Sequence, residues 1–175
     1  MRKTKKISVC AMLTALGVVI LYLGSVFELM DLTIACAASF TVLFCVFEMG
    51  GKYAAAVYAA TSVLSLILVP RKEIAVYFIV FFGIMPITKK LFEKAGKILS
   101  WVLKIAAFNV EIFAFYFAVI ALGFDFFEGN ETNMPYLVAM LLLANASFVL
   151  ADILYTLIFK IYEKKYRARI RKFLK

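Results

Sequence analysis

The sequence contains no histidine. This absence excludes histidine-ligated metal sites, nucleophiles activated by a histidine base, and histidine-dependent intramembrane metalloproteases. Cysteine is scarce: the three residues Cys10, Cys36 and Cys45 form no CxxC motif and all sit in apolar segments. An odd number in such segments predicts small buried side chains, with no disulfide and no metal site.

Phosphate-binding and catalytic motifs are lacking as well. No Walker motif occurs in the chain, so ATP-driven work would have to come from a partner subunit. No clustered acidic motif is present for a membrane enzyme that acts on lipids. We therefore expect a protein that is not an enzyme and carries no cofactor of its own.

Apolar residues dominate what is present: 65% of the 175 residues are hydrophobic, and the mean hydropathy is +0.96. Soluble domains are about 45–50% apolar, and one membrane-spanning helix needs about 20 mainly apolar residues. The composition predicts an all-α polytopic membrane protein, a bundle of about six transmembrane helices forming a single domain over residues 1–175. The predicted spans are 7–27, 32–47, 53–69, 74–87, 98–123 and 136–159. The first resembles a signal peptide but is too long for one and is not followed by an A-x-A cleavage site, so we expect it to be retained.

Gly50 and Gly51 predict a tight turn after the second span, and Pro70 ends the third. Pro86 predicts a kink near the end of the fourth, and the cationic connector over 89–97 is expected to be an interfacial helix.

The net charge of +9 is concentrated at the two ends of the chain. Four of the first six residues are basic, and basic residues also crowd a tail at about 160–175, in both cases beside apolar spans. Such residues mark the cytoplasmic side of a membrane protein and attract anionic lipid. Both termini are therefore predicted to be cytoplasmic, with anionic lipid at the basic tail and no nucleic-acid partner.

Three charged residues fall inside the predicted spans, where charge is costly: Lys104, Glu111 and Asp152. Lys104 and Glu111 are seven residues apart and share a helix face, and Asn145 and Asp152 are spaced in the same way. Antiparallel packing of spans 5 and 6 predicts that Lys104 meets Asp152 and that Glu111 meets Asn145. These pairs are either a structural clasp or part of a ligand or proton pathway.

A second charged cluster is predicted at the outer turns, where Glu28, Asp31, Arg71, Lys72 and Glu73 lie. Arg71 and Lys72 are the basic residues that depart from the positive-inside pattern. They either bind an anionic group of a solute or are neutralised by the neighbouring carboxylates.

An outward-facing pocket is predicted beneath the turn at 70–73 and the loop at 124–134. Its floor would include Asn109 or Glu111 from span 5 and Asn145 from span 6, and aromatic residues would supply its walls. The loop is rich in aromatic and acidic residues. It either closes over the pocket or rests on the membrane interface.

Small residues at a spacing of four let helices approach closely. Span 1 carries Ala11 and Ala15 in the segment AMLTAL. Span 3 carries alanines at 55, 56, 59 and 60, which are more typical of packing within the bundle.

The basic N-terminus, the AMLTAL segment, the six short-looped spans and the cytoplasmic ends resemble the S components of energy-coupling factor (ECF) transporters. This resemblance implies a subunit of a bacterial plasma membrane that captures a vitamin-like micronutrient from the outer side. It also implies docking on a membrane coupling protein that carries two ATPase subunits, with ATP used only by those partners. The docking surface would be Ala11 and Ala15. No substrate signature is present, and the basic tail is longer than the family pattern.

A second class shares the size and topology. Small structural membrane proteins of the cell-envelope machinery would use the same helices for interaction alone. A solute binder should have an outward pocket lined by polar groups from spans 5 and 6, whereas a scaffold needs none.

Overall fold

A computed structural model describes residues 3–27, 30–92, 96–121 and 134–165. Every regular element among these residues is helical: α1 Lys3–Phe27, α2 Asp31–Glu48, α3 Gly51–Leu68, α4 Lys72–Tyr77, α5 Met85–Phe92, α6 Lys97–Ala121 and α7 Met134–Lys165, with a π-helical segment at Phe78–Phe82. Five of these described helices (α1, α2, α3, α6 and α7) are long and apolar enough to cross a membrane. The fold is that of a multi-pass helical membrane protein.

The first three helices pack closely around small residues. A Cβ added at Gly17 of α1 would lie 3.1 Å from Thr41 Oγ1 on α2 and 3.2 Å from Thr61 Cγ2 on α3. Gly24 lies against Ile34 so closely that an added Cβ would fall 2.3 Å from Ile34 Cγ2. Absence of a side chain at these positions therefore lets α1 pack directly on α2 and α3.

The turn between α2 and α3 follows the prediction. Gly50 has a φ of 95°, a conformation that glycine adopts readily, and its amide donates to Cys45 O at 3.1 Å. At the far end of α3, Pro70 follows the last turn, since proline cannot continue a helix. Lys72 Nζ then donates to three carbonyl oxygens at that end, those of Leu66, Ile67 and Val69.

The fourth predicted span is wrong in form. A kinked helix over 74–87 is expected, but α4 passes into the π segment, which ends at a turn over Gly83 and Ile84, and α5 starts afresh at Met85. Pro86 is in the first turn of α5, so the break precedes it. Proline provides no amide hydrogen for Phe82 O, and Gly83 leaves space for the Tyr58 ring, whose atoms would be 2.7 Å from an added Cβ.

The stretch 72–92 would be about 31 Å long if helical throughout at 1.5 Å per residue. This length suits one crossing of a bilayer core of about 30 Å. The stretch is not one uninterrupted helix, and it is not among the five described helices that are long and apolar enough to cross, against about six predicted.

The last two helices agree with the predicted spans in position. Helix α7 continues beyond the predicted end at 159 to Lys165, which extends it into the basic tail. The rest of that tail and most of the loop predicted at 124–134 lie outside the described residues.

Candidate solute-binding site

A buried cluster of charge joins three helices. Lys104 Nζ of α6 donates to both carboxylate oxygens of Asp152 on α7, at 3.2 Å each. Lys89 Nζ of α5 donates to Asp152 Oδ1 at 2.7 Å, to the Asp152 carbonyl at 2.9 Å and to Thr156 Oγ1 at 2.7 Å. The three charged side chains are only 4–6% exposed. The predicted pairing of Lys104 with Asp152 is therefore present, in a larger network.

Lys89 was not expected in this cluster. Sequence placed it in a cationic interfacial connector over 89–97, yet its ammonium is buried against α7. The break at Gly83–Ile84 explains the difference, because α5 begins a new helical register there. Residues 93–95 of that connector lie outside the described residues.

The amide pair differs from the expected one. Asn145 pairs with Asn109 and not with Glu111: Asn109 Nδ2 donates to Asn145 Oδ1 at 3.0 Å, and Asn145 Nδ2 donates to Asn109 Oδ1 at 3.2 Å. Each amide can be donor and acceptor at once, so two asparagines satisfy one another better than an amide and a carboxylate. Glu111 instead lines a small gap beside Lys104 and Asp152.

A cavity of about 630 Å³ opens between the stretch 72–92, called the fourth stretch below, and the last two helices, α6 and α7. Its walls are almost wholly apolar, and the hydroxyl-bearing residues among those that line it are Tyr77, Tyr116 and Ser147. The lining comprises Leu32, Tyr77, Phe81, Phe82, Met85, Phe108, Ile112, Phe113, Tyr116, Val138, Met140, Leu141, Leu143, Ala144, Ser147 and Phe148. This volume is that of a small-molecule site. The predicted floor residues Asn109, Glu111 and Asn145 are not among those that line it.

Two stacked rings separate the cavity from the charged cluster. Phe108 of α6 and Phe148 of α7 have ring centroids 4.4 Å apart and planes 24° apart. Both rings and Met85 line the cavity on one side and the gap beside Lys104 and Asp152 on the other. The floor of the cavity is therefore aromatic, with the ionic cluster beneath it.

The basic side chains of the second charged cluster are bound by other groups of the protein. Arg71 Nη2 lies 3.2 Å from Asp31 Oδ2 and 3.4 Å from Glu73 Oε2, and Lys72 caps the carbonyls at the end of α3. For Arg71, this arrangement matches the second of the two alternatives left open by the sequence, neutralisation by neighbouring carboxylates. Glu28 lies outside the described residues, and neither Arg71 nor Lys72 lines the cavity.

The alanine pair on α1 is exposed. Ala11 and Ala15 lie on the face of α1 that turns away from the bundle, whereas Thr14, Gly17 and Leu21 turn inward. The alanines at 55, 56, 59 and 60 of α3 are exposed too, so the expectation that they pack within the bundle is wrong. The described bundle thus presents two outer faces of small residues.

The residues that line the cavity were not predicted from the sequence, because polar side chains were expected to mark the site. The signal that could have found them was the density of aromatic residues in 77–82 and 108–117. No family model matches the chain, and neither a curated protein nor a solved structure matches it.

Proposed function

We propose that this chain is the solute-capturing membrane subunit of an importer of the ECF type. The observation that carries the proposal is the cavity of about 630 Å³ bounded by the fourth stretch, α6 and α7. It belongs to the later helices, while α1 lies at the edge of the bundle with Ala11 and Ala15 exposed. That division between a binding half and a docking helix is what an S component requires.

The chain resides in a bacterial plasma membrane with both termini in the cytoplasm. Contacts at one end of the bundle support this orientation: Lys6 of α1 lies over the Tyr53 ring at the start of α3, and Tyr162 near the end of α7 packs on Phe44 near the end of α2. The ends of α1 and α7 therefore share one side, which carries the basic residues at both ends of the chain.

The solute is a largely apolar, ring-bearing micronutrient. The cavity is lined by phenylalanine, leucine and methionine, and three of its lining residues carry hydroxyl groups, of which that of Ser147 already donates to Leu143 O at 2.9 Å. No charged side chain lines it among the described residues. We therefore replace the anionic group inferred from Arg71 and Lys72 with an uncharged one.

Uptake is driven by partners. The chain docks through Ala11 and Ala15 on a membrane coupling protein, which carries two ATPase subunits. Side chains as small as alanine permit the backbone of α1 to approach a partner helix closely.

The test is co-purification with the coupling protein and ATPases of the same organism. We expect Ala11→Trp with Ala15→Trp to abolish the complex while solute binding persists. Ala106→Trp is the matched control, because Ala106 is exposed on α6 and lines neither the cavity nor the gap beside Lys104. Retention of the complex by the α1 double variant would contradict the docking assignment.

The exposed alanines of α3 favour a second candidate, an interaction protein of the cell envelope. Such a protein would bind a partner helix through Ala55 and Ala59 and would need no solute. Loss of a partner with Ala59→Trp, together with no detectable bound solute in the wild type, would favour this function over transport.

A further inference from the structure

Three sulfur atoms meet where the start of α1 packs on the end of α2. Cys10 Sγ lies 3.9 Å from Cys45 Sγ and 3.6 Å from Met49 Sδ. Cys45 lies in the last turn of α2, and Met49, four residues on, follows that turn with its amide bonded to Cys45 O at 3.0 Å. Their side chains therefore point to the same side, opposite Cys10 of α1. Two thiols and one thioether are therefore gathered from two helices.

The two separations from Cys10 Sγ, 3.9 Å and 3.6 Å, can be compared with those of sulfur ligands around a metal ion. Metal–sulfur bonds of about 2.3 Å hold sulfur ligands about 3.8 Å apart in tetrahedral geometry and about 4.0 Å apart in trigonal geometry. The Cys10–Cys45 separation of 3.9 Å lies between these values, and the Cys10–Met49 separation of 3.6 Å is about 0.2–0.4 Å shorter. The ion would take the space between the three atoms, with shifts of a few tenths of an ångström.

The kind of ligand selects the kind of metal. Thiolate and thioether are soft ligands that favour Cu(I), whereas Mg²⁺ and Ca²⁺ take oxygen ligands. No group of three His, Cys, Asp or Glu side chains that could hold a metal occurs among the described residues, so a zinc site of the usual ligand set is not formed there. We propose that Cys10, Cys45 and Met49 form a three-coordinate site for Cu(I) or a similarly soft monovalent ion.

The surroundings suit such a site. Cys45 and Met49 are buried, and Cys10 is partly exposed, so an ion can be shielded and still be reached. The site lies next to the turn at Gly50 and Gly51, one helical turn from the end of the bundle.

Charge is compensated nearby. Binding of one Cu(I) by two thiols releases two protons and leaves a complex of net charge −1. Lys6 lies one turn before Cys10 on α1, with its ammonium 5.1 Å from the centroid of the Tyr53 ring. Its positive charge stabilises an anionic complex at this end of the helices.

Simple apolar packing and a disulfide bond would each behave differently from a metal site. Three sulfurs packed only as apolar atoms would bind no metal more tightly than any other buried thiol. A disulfide would need the Cys10 and Cys45 sulfurs about 2.05 Å apart, and the structure holds both as free thiols. The third cysteine, Cys36, is an internal control, because its thiol contacts the Tyr155 hydroxyl at 3.8 Å instead of another sulfur.

The experiment is an anaerobic titration of the purified full chain with Cu(I), in competition with a chromophoric Cu(I) chelator. We expect one tightly bound Cu(I) per chain, and X-ray absorption should show three sulfur neighbours. Cys10→Ser and Cys45→Ser should each weaken binding by about 100-fold or more, since changes outside the ligands alone cost about 10–100-fold. Met49→Leu should weaken it less, and Cys36→Ser should leave it unchanged.

A second measurement avoids variants that fold poorly. In the wild-type protein, bound Cu(I) should protect Cys10 and Cys45 from alkylation and leave the alkylation rate of Cys36 unaltered. Equal protection of all three thiols, or the same affinity in Cys10→Ser as in the wild type, would overturn the proposal. A spectrum with two sulfur neighbours would remove Met49 from the site.

Discussion

The first three helices and the last two are held together by different means. Helices α1–α3 meet closely at Gly17 and Gly24, where an added Cβ would lie 3.1 Å from Thr41 Oγ1 and 2.3 Å from Ile34 Cγ2. Helices α6 and α7 meet through stacked rings, an amide pair and an ionic cluster, with a cavity of about 630 Å³ beside them. Helices α1–α3 are held together by close packing, whereas α6 and α7 are held by a small number of polar and aromatic contacts.

This difference bears on function. Tightly packed helices have few alternative arrangements, because interiors of this kind do not deform continuously. Helices fastened at a few polar points can separate or tilt while those points hold, and a cavity between them can accept a ligand. In the function proposed above, the α6–α7 half binds the solute and the α1–α3 half is the fixed docking platform.

The largest expected effect is that of removing the shared carboxylate. Asp152→Ala should lower the free energy of unfolding by about 3–5 kcal/mol, because Lys89 and Lys104 then remain buried without it. The measurement is reversible unfolding in mixed micelles. The control is the triple variant Lys89→Met, Lys104→Met and Asp152→Leu, which should recover most of the loss. A triple variant less stable than Asp152→Ala would mean that the three charges together add more to the free energy of unfolding than we propose.

A smaller effect is expected in the closely packed half, α1–α3. Gly24→Ala should cost about 1–3 kcal/mol, since the added methyl group overlaps the Ile34 side chain. Gly51→Ala is the matched control, with nothing within 4 Å of an added Cβ, and should be close to neutral. Equal stability of the two variants, measured in the same micelles, would show that α1 and α2 are less closely packed than described.

The smallest effect is that of the amide pair. Asn109→Leu or Asn145→Leu should each cost about 0.6–2 kcal/mol, the range of hydrogen bonds between membrane helices. The double variant should be no worse than either single one, because no amide is then left without its partner. A double-mutant cycle gives the coupling energy, and a value near zero would mean that the pair does not fasten α6 to α7.

The features of the fold that could be predicted from the sequence are those that depend on one local rule. The Gly50–Gly51 turn, the end of α3 at Pro70 and the approach of Lys104 to Asp152 follow from backbone preference, proline chemistry and helical spacing. The break at Gly83–Ile84 was not predicted: Pro86 indicated only a kink, and the close approach of the Tyr58 ring to Gly83 comes from another helix and cannot be read from the local sequence. Lys89 was misplaced for the same reason, since its register depends on that break.

The predicted pocket and the cavity both involve the last two spans but are lined by different residues. A pocket was predicted beneath the turn at 70–73 and the loop at 124–134, with polar side chains of spans 5 and 6 as its floor, whereas the cavity is lined mainly by apolar side chains of 77–85, α6 and α7. Asn109 and Asn145 satisfy one another, and Arg71 is bound by Asp31 and Glu73. Pairing between side chains of different helices cannot be read from spacing along one of them, so these groups seemed free to bind a solute when they were not.

The proposal that the α6–α7 half binds a solute is tested most directly by detecting and identifying that solute. Protein purified from its native membrane should carry one small molecule per chain, detected by native mass spectrometry and identified after extraction. Ala144→Trp should remove that molecule, because Ala144 lines the cavity and an indole ring would fill much of it. Ala106→Trp, on the exposed face of α6, should retain it. A solute bound equally by wild type and Ala144→Trp would contradict the assignment of this cavity as the binding site.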